Sequence, residues 1–396
     1  MIPLRRYMRM SYGDALSTEV RSEGSVAVMS SGGVTGSHDT ANTLSPCIVV
    51  GRKGSHGSIH WTDDPAFVID TAYYIDRRHT AVDLRWLYYV LLSRDLRGLS
   101  QDVGVPGLSR EAAYNAAGPT PPDIEEQRRI AGFLDVETAR LDGLLELRGR
   151  QMRALAEKKS LLFEAAVARY GVALPATLVP GPDAWRLPDG WLVTSLSRVL
   201  DRLTNGYVGP TRDILENDGV RYIQGLHIKG GDIDFERRPF FVSAAWHRDR
   251  PRINLRRGDV LIVQTGDIGQ VAVVPPDFGE ASCHALLIAR VRKGLLTGEY
   301  LGAYLRSHFG YRSLLSRATG ALHPHLEGGI RDVPVLVPPL WLQSPLVDEI
   351  AAGRSKIKGL EARVQRQVEL LSERRVALIT AAVTGQVDVT TASGAA

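Results

Sequence analysis

The stretch EKKSLLFEAAVARYGV (157–172) is answered near the other end of the chain by ERRVALITAAVTGQVDV (373–389). Subtracting positions gives one value throughout. Glu157 and Glu373, Leu162 and Leu378, and Ala165-Ala166-Val167 and Ala381-Ala382-Val383 all differ by 216. The same shift carries Gly143-Leu144 onto Gly359-Leu360, Arg150-Gln151 onto Arg366-Gln367 and Leu155 onto Leu371. A gapless shift over the length of a helix marks a duplicated rigid element, because one inserted residue would rotate every later side chain by about 100°.

Apolar residues in both segments recur at the spacing of a helix–helix seam. Leu134, Leu141, Leu155 and Leu162 fall on one seven-residue series with Arg148, and Leu145 and Met152 occupy the intervening positions. Ile350, Ile357, Val364, Leu371 and Leu378 repeat the series 216 residues later. Such a stripe, with polar residues between, predicts two long helices that zip against each other. Prolines mark both starts. The first run follows PTPP (119–122) and is free of proline from Asp123 to Leu174, and the second follows VPVLVPPLWLQSP (333–345). Proline is tolerated at a helix's opening and excluded from its interior. At 1.5 Å per residue, a helix of about 40 residues reaches roughly 60 Å.

Upstream the correspondence loosens. IVVGRKGSHGSIH (48–60) parallels LIVQTGDIGQVAV (261–273), with Gly54 and Gly57 falling 212 before Gly266 and Gly269. RWLYYVLLS (85–93) parallels EYLGAYLRS (299–307) at a shift of 214, and drifts of this size are what surface loops allow. The chain therefore reads as an α+β protein with an internal repeat. A first mixed α/β domain (1–120), shortened at its N-terminus, precedes a long helix (121–172), and a proline-rich linker (173–190) leads to a second domain (191–338), a second long helix (339–388) and a tail (389–396). GWLVTSLSRVL (190–200) reads as the opening of the second domain, and a counterpart of Trp191 would fall before Met1.

With 396 residues the chain exceeds one ordinary domain, and 44% hydrophobic content is enough to fill a sizeable core. The two cysteines, Cys47 and Cys283, fit a reducing compartment and form neither a disulfide framework nor a zinc cluster. MIPLRRYMRM lacks a signal-peptide apolar run, and no stretch approaches the ~20 apolar residues of a membrane span, so a cytoplasmic protein without a membrane partner is expected. A net charge of +4 permits nucleic-acid binding without demanding it.

The paired segments PPDIEEQRRIAGFLD (121–135) and PPLWLQSPLVDEIAA (338–352) open helices that continue as LDGLLELRGRQMRALAEKKSLLFEAAV and IKGLEARVQRQVELLSERRVALITAAVTGQVDV. With the globular stretches around CIVVGRKGSHGSIHW and LRRGDVLIVQTGDIGQVAVV, these resemble the specificity subunits of type I restriction–modification systems over nearly the whole chain. The resemblance implies two target-recognition domains and two antiparallel conserved helices. It implies a subunit without catalysis of its own, in which each domain reads one half of a split site in double-stranded DNA. It also implies docking to two methyltransferase subunits that use S-adenosylmethionine, with two restriction subunits that use ATP and Mg as further partners.

Candidate DNA-binding residues sit in loops. Gly51-Arg52-Lys53-Gly54-Ser55-His56-Gly57 follows the apolar strand CIVV, and its glycines bring backbone N–H groups close to a partner while Arg52 and Lys53 supply charge for phosphate or guanine. Its equivalent in the second half carries Gln264 and Thr265, suited to base edges or phosphate. SSGGVTGSHD (30–39), read as a flexible loop, offers Ser31 and His38, and YIQGLHIKGGDIDF, a hairpin pattern, offers Gln224, His227 and Lys229. HPHL (323–326) contributes His323 and His325, with too few further ligands nearby for a metal site. Each loop also has a purely structural reading as a surface turn. The methyltransferase signature [DNS]-P-P-[FYW] and the P-loop spacing are both missing, which leaves a helical scaffold protein or a DNA-modifying enzyme as competing readings.

Overall fold

The computed structural model describes residues 1–99, 107–175, 185–320, 325–326 and 328–389. The chain forms two compact units, Met1–Arg150 with Val364–Ala396, and Gln151–Arg363. Each unit therefore combines one globular domain with parts of both long helices.

In the first unit a four-stranded antiparallel sheet runs in the order Ser11–Tyr12, Ala72–Ile75, Cys47–Gly51, Ile59–Thr62. A three-stranded sheet orders Gly33–His38, Val26–Ser30 and Ala66–Val68, the last two parallel. The second unit repeats both. Its larger sheet is Leu200–Asn205, Leu286–Val291, Val260–Val263, Val271–Val273, and its smaller is Phe241–Val242, Val220–Ile223, Ala281–Cys283, again ending in a parallel pair. Identical order and pairing sense extend the duplication well beyond the helices. A shared crossing shows how closely. Gly13 N donates to Ala72 O and Gly206 N to Leu286 O, and a Cβ at either glycine would sit 2.2 Å from Ile69 O or 2.6 Å from Cys283 O. Neither position accepts a side chain.

One expectation about the first domain is corrected. Residues 30–39 are not a flexible loop, since Gly33–His38 is a strand paired with Val26–Ser30. The opening strand is also present in abbreviated form. Ile2–Pro3 pairs with Ala117–Gly118 as Leu192–Ser195 pairs with Pro334–Val337, and Leu4 N donates to Ala116 O as Leu196 N does to Val333 O.

The long helices differ from their expected form in one respect each. The first is broken: Ile124–Ser160 ends before Leu161 (φ −97°, ψ 5°), and Leu162–Ala168 follows as a separate short helix. The second, Leu340–Val383, runs unbroken and takes in Pro345. That ring lacks the N–H that would meet the carbonyl of Trp341, a residue 75% exposed in the helix's first turn.

Pairing is antiparallel within each unit. In the second, Lys159 meets Glu361 at 3.0 Å and Arg169 meets Glu349 at 2.7 Å, while a Cβ on Gly353 would touch Leu162. In the first, Arg375 Nε donates to Asp142 Oδ1 at 2.8 Å, and Ile130, Ala131 and Leu134 share a core with Ile379, Ala382 and Val383. Among the seam residues Leu134, Leu141, Leu155, Ile350, Ile357 and Val364 are buried, and Leu145, Met152, Leu162, Leu371 and Leu378 are half-buried. The helix ends plug into their domains. Phe163 stands against Tyr300 and Tyr304 at 5.7 and 5.4 Å in the second unit, and Ile379, its counterpart, is buried in the first.

A duplicated glutamine locks each domain to its helix. Gln127 Oε1 accepts from Asp83 N at 2.7 Å and its Nε2 donates to Pro122 O at 2.7 Å. Gln343 Oε1 accepts from Thr297 N at 2.8 Å and its Nε2 donates to Leu295 O at 2.9 Å. Asp83 and Thr297 are themselves the N-caps of helices Leu84–Leu92 and Gly298–Leu305. Both glutamines are buried, and each gives its amide to half-buried backbone groups of its domain.

Candidate nucleic-acid interface

The glycine loops form as the sequence suggests. Gly54 (φ +69°) and Gly57 (φ +73°) turn the loop after Cys47–Gly51, and Gly266 (φ +75°) and Gly269 (φ +78°) turn its counterpart after Val260–Val263. Gly57 N donates to Gly51 O at 2.8 Å and Gly269 N to Val263 O at 2.9 Å, closing both loops in one way. A distant segment then staples each loop. Leu108 N donates to Arg52 O at 2.9 Å, and Leu326 N donates to Gln264 O at 3.0 Å. Arg52 and Gln264 therefore stand at equivalent places.

What surrounds them differs. In the first unit Arg52 Nη1 donates to Asp70 O at 3.1 Å, and its guanidinium lies 5.0 Å from the Tyr12 ring. Arg110 joins the same ring at 4.3 Å, and Tyr12 is itself 44% exposed. Lys53 and Ser55 project from the loop and are exposed, while half-buried His56 holds Gly54 O through Nδ1 at 3.2 Å. The result is a cationic–aromatic cluster able to stack on a base or meet phosphate.

In the second unit the corresponding cleft, of about 490 Å³, is lined by Gln264 with Asn205, His325 and Arg331. Amides and one guanidinium replace the charged aromatic cluster. A second cleft, of about 550 Å³, gathers Gln224, Lys229, Thr265, Arg237 and His284. Lys229 leads the hairpin Ile228–Lys229 and Asp232–Ile233, whose turn residues Gly230 and Gly231 both have positive φ. Ala285, at φ 48°, also lines this cleft, a left-handed conformation that costs a non-glycine residue roughly 1 kcal/mol or more. Burial lowers the His284 pKa, with a backbone hydrogen bond at Tyr207 opposing, so its ring offers hydrogen bonds and not charge at neutral pH.

Gln264 is itself buried although it lines its cleft, and three further candidates face inward. His38 is buried, accepts from Ser22 N through Nδ1 at 3.1 Å and packs edge-on against Phe67, so it braces a strand. His227 is fully buried. Its Nδ1 accepts from Gln224 N at 2.9 Å and its Nε2 lies 2.9 Å from Arg238 O, so it caps the turn Gly225–His227. Ser31 is buried beneath the first glycine loop, with its carbonyl taken by Ser58 Oγ and His60 Nε2. A polar residue near glycines suits DNA contact, but here a backbone group needing a partner is the stronger demand. His323 lies outside the described residues, and His325 stands in a two-residue strand paired with Ala318–Thr319.

Tyr12, Arg110, Asn205, Arg237, His284 and Arg331 are the lining residues that sequence reasoning missed. They lie far from the glycine loops in the chain, so no local pattern links them. The repeat held the one usable signal, since Gly13 and Gly206 both follow a cleft residue.

Among the described residues no group of three or more His, Cys, Asp or Glu side chains could hold a metal, and no helix is long and apolar enough to cross a membrane. A scan of protein-family models and a search of curated proteins find no match. Solved structures do match. A chain from a study of complex assembly and conformational transition of the type I R-M system superposes with a TM-score of 0.65 at 18% identity, covering 86% of this chain and 82% of that one. The HsdS subunit from Thermoanaerobacter tengcongensis follows at 0.47 and 19%, covering 86% and 81%, and the type I S subunit from M. genitalium at 0.39 and 18%, covering 96% and 94%. The chain therefore shares its fold with that chain of the type I R-M system study, the match at a TM-score of 0.65.

Proposed function

We propose that the chain is the DNA-recognition subunit of a type I restriction–modification assembly, each unit reading one half of a split, asymmetric site. The observation that carries this is the pair of equivalent glycine loops bearing unlike side chains, Arg52 with Tyr12 and Arg110 in one unit, Gln264 with Asn205 and Arg331 in the other. Two copies of one scaffold with different polar heads suit two different half-sites, whereas identical heads would suit a palindrome. Bases are read through hydrogen bonds at their edges, for which arginine and glutamine are the usual partners, and phosphates through charge.

The remainder of the proposal concerns partners. The helix pair docks two adenine-methyltransferase subunits, which bring S-adenosylmethionine, and its length governs the interval between half-sites. Two restriction subunits using ATP and Mg complete the assembly. The chain itself supplies recognition and no chemistry, and it works in the cytoplasm. Methylome sequencing with and without the gene is the test. Loss of one bipartite adenine-methylated motif on deletion is the expected result. An unchanged methylome, together with no salt-sensitive duplex binding by the chain and its methylating partner, would remove the proposal and leave a helical scaffold.

A further inference from the structure

The second unit contains a cationic recess. Two adjoining clefts of about 690 and 380 Å³ share Lys159, Gly230, Arg306 and Arg354. Lys229 and Lys358 add to the larger one, where Asp232 and Glu361 are the acidic lining residues, so five cations face two carboxylates. Glu361 is already engaged with Lys159 at 3.0 Å.

Backbone carbonyls, not carboxylates, hold the two guanidinia. Arg306 Nη1 donates to Gly231 O at 3.3 Å, and Arg354 Nη2 donates to Gly230 O. The pair is close: a Cβ at Gly231 (φ +98°) would lie 3.0 Å from both Arg306 Cδ and Arg354 Nη2. Desolvation, then the neighbouring Arg354 charge, pulls Arg306 down to about 10, with Asp232 opposing. Two crowded cations that repel one another in a recess destabilise the empty site, and a bound anion relieves that repulsion. Paired guanidinium forks match the oxygens of phosphate in geometry as well as charge.

At the equivalent places of the first unit stand Leu92, Thr138 and Asp142, where the second has Arg306, Arg354 and Lys358. Thr138 Oγ1 is turned back onto Leu134 O at 2.6 Å, and Asp142 pairs with Arg375. Duplication alone therefore does not account for the recess.

We infer that the recess between residues 228–233, Arg306 and Arg354 is a phosphate-binding site specific to the second unit. It takes a multiply charged phosphate group, either of a free phosphorylated ligand or of a DNA backbone. The inference does not rest on the recognition role proposed above.

Calorimetric titration of the full chain with pyrophosphate at low salt tests it. One saturable equivalent is expected, weakened about tenfold or more in both Arg354→Gln and Arg306→Gln. Lys293→Gln removes the same charge from an exposed position outside the recess and should bind like the parent. Matching melting curves for Arg354→Gln keep the comparison sound if Arg306→Gln folds poorly. Absence of saturable binding by the parent, or equal weakening by Lys293→Gln, overturns the site. Displacement of bound pyrophosphate by a short duplex assigns it to DNA backbone, and indifference to duplex assigns it to a free ligand. Failure of this titration would leave the methylome and gel-shift tests of the recognition role standing.

Discussion

The first and second units share a scaffold to the level of single hydrogen bonds and differ in nearly every side chain at their glycine loops. Leu108 N to Arg52 O and Leu326 N to Gln264 O are the same staple, yet one fastens a guanidinium stacked on tyrosine and the other an amide in a polar cleft. The reason is chemical. Strand order, loop closure and stapling are made by backbone N–H and C=O groups, which every residue except proline carries in full. Side chains that point away from these bonds can change without cost to the frame. The glutamine locks mark the exception, because there a side chain supplies the backbone's partner and the residue is the same in both units.

The equivalence can be broken most forcefully in the cores. Phe163→Ala should destabilise the second unit by about 3–5 kcal/mol, and its counterpart Ile379→Ala the first by about 2–5 kcal/mol. Calorimetry should show each lowering the transition of its own unit. An Ile379→Ala chain that melts like the parent would show that the helix ends are not equivalent. Next come the locks. Gln127→Ala and Gln343→Ala each leave a half-buried backbone N–H without its side-chain partner, at about 1–3 kcal/mol. Denaturant titration should find the two nearly equal, and a large inequality would mean that only one lock bears on stability.

At the loops the two units should part company. Arg52→Ala is expected to weaken duplex binding about tenfold and to reduce the salt slope by about one. Gln264→Ala should alter which sequence is bound and leave the slope unchanged. Equal slope changes in both would contradict the division into charged and amide heads. The smallest effect concerns pH. Burial lowers the His227 pKa below its ordinary value, with its backbone contact at Arg238 opposing. The unfolded chain then takes up that proton first, so this stability is complete above pH ~6.5 and declines as pH falls below it. Asp76 in the first unit is buried, but Arg78, backbone N–H groups of Leu44 and Arg78, and His79 hold it at about 2, far below that window. A mild acid scan should loosen the second unit before the first, and His227→Gln should flatten the difference.

Much of this is legible in the residues. The seam positions, the glycine turns at 54, 57, 266 and 269, and the Gly230-Gly231 hairpin are local patterns, set by helical period or by the need for positive φ. The break at Leu161 is not legible, because its counterpart in the second helix, Ala377, stands in an unbroken stretch with a closely similar sequence. Nor is the inward turn of His38 and His227. A histidine near glycines looks alike whether it faces solvent or closes a turn, and only the position of Ser22 N or Arg238 O decides.

From its sequence alone the chain is determined to be a duplication with two long paired helices, since a gapless 216-residue shift that keeps helical phase is the trace left by copying one rigid element. The tertiary structure alone decided which side chains meet around each loop. Tyr12, Arg52 and Arg110, or Arg306 and Arg354, are joined by strand pairing and helix docking across long stretches of chain, and contacts of that kind leave no periodic trace in the order of residues.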